Sequence, residues 1–510
     1  MKPIILSLII AATMFAQQVI ELKQPNSNKV IIKLQFRNGS IADPKGNEGL
    51  TVATANLITQ GGTKEMTYSE IQDKIYPWAA GYYASVDKEV ATFTFMVHVD
   101  FLDQFFPIVK GLMLAPAFDQ NDFTRVMKNQ QNYVDQVIRA SSDEEYSKKA
   151  LEDLLFRGTN YQHMTAGKSE SVKSITLDDI KRHYANVFTK NNLTIGIAGN
   201  YSDAFLKQLK ADMATLSGKK YTQPKPGKAN TPDGVVVEIV AKDNAFGSAV
   251  FTGTPLAITR SSKDFAALMV ANSYLGEHRK SYGKLYQKIR ETRSMNYGDY
   301  SYIEWYNNGG GFMLPPSGVP RQSNYFSLWI RPVQIAKQLN QQYAELSDIK
   351  IGHAHFALRM AVREVDKMIK EGITKEDFEA TRAFLKSYIK LYVQTPNEQL
   401  GYLMDSKFYG RNDFISEVDK EMAKLTVKDV NAAVKKYWRV NNMFVTIVTD
   451  KSEAEELAKS LKENTPSPMA YSNAVKAGLP KEVLDEDDIV ANYKLNVKKV
   501  TIVDSKDTFK

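Results

Sequence analysis

The sequence predicts an α+β protein of two homologous halves, each a mainly antiparallel sheet with helices packed on one face. Three observations predict it: a motif that recurs in constant register, the same order of helix and strand patterns around both copies, and a polar, proline-rich segment between them. SITLDDIKRHYANVFTKNNLTIGIAG from Ser174 reads against KLTVKDVNAAVKKYWRVNNMFVTIVT from Lys424, pairing Thr176 with Thr426, Asp179 with Asp429, and Asn191-Asn192 with Asn441-Asn442. Self-similarity in a fixed register marks a duplicated unit. In each copy a threonine in N-cap position precedes a helix, two asparagines make the turn, and an apolar β-branched run follows as a buried strand. A second pair lies upstream, where NDFTRVMKNQQNYV from Asn121 parallels EDFEATRAFLKSYI from Glu376.

Strands are read at KVIIKLQF, ATFTFMVHV, VVVEIVA and YFSLWIRPV, interleaved with amphipathic helices, a pattern that places helices against a sheet. Ser217 to Asp233, SGKKYTQPKPGKANTPD, is rich in Pro, Gly and Lys and reads as an exposed linker. The expected organisation is therefore a first half over 17–216, a linker over 217–233, a second half over 234–460 and a tail over 461–510. The tail is read as irregular, proline-containing sequence after the short helix EAEELAKSLKE.

Composition narrows the function. With 510 residues, 43% apolar and 24% charged, the chain is long enough for several packed cores. It has no cysteine, so disulfides, thiolate metal sites and a cysteine nucleophile are excluded. The formal charge of +8 is dispersed among 58 acidic residues without a basic block, which argues against nucleic acid as a partner. Residues 1–16, MKPIILSLIIAATMFA, have the layout of a secretory signal, too short to span a bilayer. An exported protein without a transmembrane anchor is expected, and export without cysteine suits a bacterial periplasm.

The segment FRNGSIADPKGNEGLTVATANLITQGGT, together with the duplicated architecture and the basic linker, resembles the insulinase and pitrilysin family of zinc peptidases, whose signature is an inverted H-x-x-E-H helix. Laid against that pattern, Val52, Ala55 and Asn56 stand at the positions of the first histidine, the catalytic glutamate and the second histidine. Two imidazoles one turn apart hold the zinc while the glutamate takes a proton from the bound water, and neither valine nor alanine can do either. The family's third ligand is a glutamate about seventy-five residues further on. From Asp119 to Asp143 there is no glutamate, and RVMKNQQNYVDQV offers amides instead. The resemblance thus implies a chain without cofactor or metal of its own. Among the six histidines, His353-Ala354-His355 is the only close pair, and its spacing suits a strand or loop clamp, not a helix face.

In many members the second half presents an arginine and a tyrosine seven residues apart, reaching toward the scissile bond. KLYQKIRETRSMNYGDYSY supplies Arg290 and Tyr297 at that spacing, where a helix gives way to a strand. A phenol and a guanidinium aimed at a carbonyl oxygen stabilise the negative charge that hydrolysis builds there. About one such spacing is expected by chance in a chain of this composition, so packing of Tyr297 stands as the alternative. Tyr300, Tyr302, Trp305 and Tyr306 are read either as a wall gripping extended peptide or as a sheet face under helices; Gly309-Gly310-Gly311 is read as a loop or plain turn.

The resemblance implies an exported, zinc-free subunit that pairs with a zinc-bearing H-x-x-E-H chain, Arg290 and Tyr297 completing the partner's site for short unstructured peptides. The alternative from a different class is a catalytically inactive peptide-binding or structural scaffold of the same fold.

Overall fold

The computed structural model describes residues 18–140, 142–306, 314 and 316–510. The segment read as a secretory signal and the Gly309-Gly310-Gly311 turn lie outside these residues.

The first sheet has the order β1-β5-β2-β4-β3, built from β1 (Gln18–Lys23), β2 (Lys29–Phe36), β3 (Gly81–Val86), β4 (Ala91–His98) and β5 (Leu193–Gly199). The second has the order β11-β6-β10-β7-β9-β8, built from β6 (Val235–Lys242), β7 (Ser248–Leu256), β8 (Asp299–Tyr302), β9 (Asn324–Val333), β10 (Met443–Asp450) and β11 (Val497–Asp504). Antiparallel pairing dominates the middle of each, but β1 lies parallel to β5, and β6 parallel to both β10 and β11, so both sheets are mixed. The four strands read from the sequence are β2, β4, β6 and β9.

The duplication is visible element by element. Thr176 caps the Leu177–Val187 helix and Thr426 the Val427–Tyr437 helix, each accepting from the backbone N–H of the aspartate three residues on, whose carboxylate returns to the threonine N–H. Such reciprocal caps satisfy two of the donors every helix start leaves unpaired. The strands β5 and β10 follow directly, and the earlier helices Gln120–Asn132 and Lys375–Tyr388 correspond in the same way.

Each half packs its own helices on one face of its sheet. Val30, Ile32, Leu34 and Phe36 of β2 meet Ala55, Ile58, Ile108 and Leu112 in the first core; Val235, Val237 and Ile239 of β6 meet Phe265, Leu358 and Val434 in the second. The opposite faces are covered by exchange. The Asp143–Leu155 helix, from the first half, lies on β7 and β10, while the Pro396–Phe408 helix, from the second, lies on β5 and β1. Strands buried on both faces run almost continuously apolar, as VVVEIVA does.

A buried ion cluster joins the halves. Arg321 donates to Asp87 and, at 2.7 Å, to Glu152, while its guanidinium lies 4.1 Å from the Trp305 ring. The linker has no regular structure and is pinned where Gln223 donates to Glu89 O and Asn230 to Leu155 O.

One expectation is corrected. The tail is not irregular: it forms the helices Asn473–Gly478 and Lys481–Ala491 and then β11, which joins the second sheet beside β6. As an edge strand with lysines at 498 and 499 facing solvent, β11 lacks the apolar run that marks an interior strand. No described helix is long and apolar enough to cross a membrane.

Candidate functional site

Two regions carry the residues singled out in the sequence. The first is the Leu50–Gln60 helix. Gly49 precedes it with φ 101°, and a Cβ there would lie 2.5 Å from Ala166 O, so only glycine fits this entry. Asp43, from the Asp-Pro turn, accepts from the N–H groups of Gly49 and Thr51 at 2.8 Å each and from Thr51 Oγ1, closing the helix start from outside the chain of caps. Burial pushes the Asp43 carboxyl up to about 7 against the pull of those donors. His183 Nε2 stands 2.9 Å from Thr51 Oγ1, and burial lowers this imidazole to about 4, which keeps it neutral.

Within this frame Val52 and Asn56, one turn apart, lie half-buried on one face, and Ala55 is fully buried among core residues. The residues do not fit zinc: Val52 offers methyl groups, Ala55 no base and Asn56 a neutral amide. Across from the helix start, Gln130 spends its amide on Gly49 O and Ala166 O at 2.9 Å each, and Gln131 donates to Asp135 and Ser169. Among the described residues no group of three or more His, Asp or Glu side chains is placed to hold a metal ion. His353 and His355 turn apart at the start of the Ala354–Lys370 helix, one to Ala470 O at 3.0 Å and the other to Ser460 Oγ at 2.9 Å, and burial lowers both imidazoles, to about 4 and about 3. They form no clamp.

Beside Asn56 a cleft of about 440 Å³ opens between the helix and the outer strand, bounded by Tyr68, Gln72, Tyr76, Tyr82 and Tyr83. Among the described residues β3 is the last strand of its sheet and pairs with β4 alone, so no described strand pairs with its other edge.

The second region is the turn between the π-helical segment Tyr286–Glu291 and β8. Ser294 N–H donates to Arg290 O at 2.7 Å, Ser294 takes a positive φ of 52°, and buried Met295 plugs the core, so the chain emerges with Tyr297 in solvent. Arg290 and Tyr297 line one cleft of about 550 Å³, with Phe246, Asn296, Gln334 and Gln338. Tyr297 is 79% exposed, so it serves no core. Arg290 is partly exposed and, among the described residues, bridges its neighbour Glu291, at 2.6 Å, over the Tyr286 ring. Tyr300, Tyr302, Trp305 and Tyr306, by contrast, are all buried between the second sheet and the Asp143–Leu155 helix: they are a packed sheet face, not a peptide-gripping wall.

The sequence reading missed what holds this turn. Buried Arg293 donates to Asp487 at 2.7 Å and to Glu486 at 3.0 Å, both on the Lys481–Ala491 helix of the tail. The acidic run LDEDD was the available signal, and nothing in its surroundings names a partner nearly two hundred residues away.

Residues 18–169 match the insulinase (peptidase family M16) family model and residues 174–385 the peptidase M16 inactive domain model. The chain belongs to the M16 peptidase family. Among M16 relatives it is 24% identical to the "non-peptidase homolog YmxG" of Helicobacter pylori over 428 residues, covering 83% of this chain and 89% of the relative. It is 22% identical over 415 residues to the "uncharacterized zinc protease YmxG" of Bacillus subtilis, covering 80% of this chain and 90% of the relative. The fold matches the M16 inactive domain structure from Pseudomonas fluorescens with a TM-score of 0.70 at 17% identity, over 85% of this chain and 96% of that one. A Helicobacter pylori protease structure matches with the same TM-score, 0.70, at 14% identity, over 85% and 97%. The M16 zinc site is absent from this chain, and the first relative is named a non-peptidase homolog.

Proposed function

We propose that this chain is the exported, zinc-free subunit of a two-chain M16 peptidase, pairing with a zinc-bearing H-x-x-E-H chain and supplying Arg290 and Tyr297 to the shared site. The observation that carries this reading is the placement of the pair: both open onto one cleft, the phenol is free of the core, and the guanidinium meets exposed Glu291 and the Tyr286 ring of its own turn. Groups kept for folding would be packed. Groups kept for a substrate held elsewhere must face outward, where a phenol and a guanidinium can meet a carbonyl oxygen as charge develops on it. The apolar residues 4–15 support export to the periplasm.

The test is reconstitution. Alone, the protein binds no stoichiometric zinc and cleaves no peptide; with a zinc-bearing M16 chain from the same cells, a quenched-fluorescent unstructured peptide is cut. Tyr297→Phe then lowers kcat by about 10²-fold or more with little change in KM, the cost of losing one such donor. Unchanged kcat ends the reading.

A second reading, a peptide-binding or structural scaffold, is favoured by the cleft beside Asn56, where the outer edge of β3 and exposed Tyr76 and Tyr83 offer backbone groups and aromatic surface to an extended chain. It gains if peptide binds and no zinc-bearing chain co-purifies.

A further inference from the structure

The Lys481–Ala491 helix lies far from Arg293 in sequence and against it in space. Arg293, its guanidinium sealed from solvent, sits three residues after Arg290 and four before Tyr297. It donates through Nε to Asp487 Oδ1 at 2.7 Å, through Nη2 to Glu486 Oε2 at 3.0 Å, and through Nη1 to Lys288 O at 2.7 Å. The last of these bonds caps the π-helical turn that carries Arg290. Lys288, on the same turn, meets both oxygens of Glu486 at 2.9 Å, and Arg363 meets Glu486 from the Ala354–Lys370 helix at 3.2 Å. Tyr471 donates to the free oxygen of Asp487 at 2.8 Å. Two carboxylates of the tail thus gather three cations and a phenol, and two of the cations belong to the turn that presents the pair.

Such an arrangement needs a reason. A wide π-helical turn and a left-handed Ser294 are sparsely populated conformations, and they persist only where the surroundings fix them. Here the turn that carries Arg290 and Tyr297 is closed by bonds from Thr292 N–H to Gln287 O at 2.9 Å and from Ser294 N–H to Arg290 O at 2.7 Å, and the carboxylates that meet its cations come from outside both family-matched segments, which end at residue 385.

We infer that Glu486 and Asp487 are positioning residues: through Arg293 and Lys288 they hold the turn that aims Arg290 and Tyr297 into their cleft. This rests on the proposed role of that pair, but its first readout does not. In the full mature chain, Glu486→Gln with Asp487→Asn raises hydrogen exchange of the amides from 286 to 298 by about tenfold or more while β10 and the Val427–Tyr437 helix keep their protection. The charge-matched control on the exposed side of the same helix, Asp485→Asn with Asp488→Asn, changes nothing there. With the zinc-bearing partner and a quenched-fluorescent peptide, the double variant loses about ten- to a hundredfold in kcat at near-constant KM, as expected when a reacting group is misplaced by a fraction of its reach.

Unchanged exchange over 286–298 overturns the inference outright. Faster exchange with unaltered kcat, in a system where Tyr297→Phe does lower kcat, overturns it too, since the turn would then be loose without consequence. If Tyr297→Phe has no effect while exchange still rises, the proposed function fails and the clamp is reduced to a structural one, which overturns the positioning role by a separate route. Should the double variant fold poorly, Asp487→Glu serves: it keeps the charge with a longer reach, and intermediate exchange with partial kcat supports the inference, whereas wild-type exchange beside lowered kcat refutes it.

Discussion

The Leu50–Gln60 helix and the Arg290–Tyr297 turn part company in what each has kept. The helix retains its frame: Gly49 in the left-handed region, Asp43 gripping the start, Thr51 and His183 beneath it, and an aromatic cleft alongside. Its reactive positions are filled by Val52, Ala55 and Asn56. The turn has the reverse character, with an unusual backbone bonded to the distant tail, and the two side chains proposed to react stand outside the core. The lesson is that frame and chemistry are held by different forces. A buried frame is tied to the fold's stability whether or not a metal is bound, whereas outward-facing side chains contribute little to it.

The most severe way to break this contrast is to put the chemistry back. Val52→His, Ala55→Glu and Asn56→His together restore the motif's letters, but Ala55 is fully buried against core residues. A carboxylate there is unpaired in an apolar site, at a cost of about 4 kcal/mol in chemical denaturation. Zinc does not bind one-to-one, because the Gln130 amide is spent on Gly49 O and Ala166 O and no glutamate lies between Asp119 and Asp143 to serve as a third, anionic ligand. Stoichiometric zinc at wild-type stability would show that the frame is still a site.

Next in size is the frame itself. Gly49→Ala places a side chain at φ 101° and within 2.5 Å of a carbonyl oxygen, so about 3 kcal/mol of stability is lost. The loss should register as a lower denaturation midpoint with an unchanged denaturant slope. A loss under 1 kcal/mol means that the helix entry relaxes and is not the rigid element described here.

How far the sequence anticipates these features follows the range of the forces involved. The paired threonine caps, the asparagine turns and the interior strands are set within a few residues, and the duplicated register at Thr176 and Thr426 is plain. The parallel pairings of β1 with β5 and of β11 with β6 join strands at opposite ends of each half, and no local pattern selects them. The Asp143–Leu155 helix reads as amphipathic, but nothing in it says that its apolar face covers the other half's sheet. At the candidate sites, the substituted zinc positions are legible because a motif fixes their spacing. The exposure of Tyr297 is not, since a seven-residue spacing is equally compatible with a tyrosine in the core. Glu486 and Asp487 form an acidic run like any solvated one until the fold sets Arg293 against them.

The smallest expected effect is the most informative. If Arg290 and Tyr297 are retained for a substrate and not for the fold, Tyr297→Ala and Arg290→Ala change the stability of the isolated chain by no more than about 0.5 kcal/mol each, because one is 79% exposed and the other bridges exposed Glu291. Chemical denaturation of the two variants beside the unaltered protein reads this directly. A loss of 2 kcal/mol or more at Tyr297 would mean that the phenol is structural after all. The division between a frame kept for folding and side chains kept for chemistry would then fail in the half where it is drawn most sharply. Stability held within that narrow range, beside a collapse of partner-dependent turnover for Tyr297→Phe, separates the two roles in a single residue.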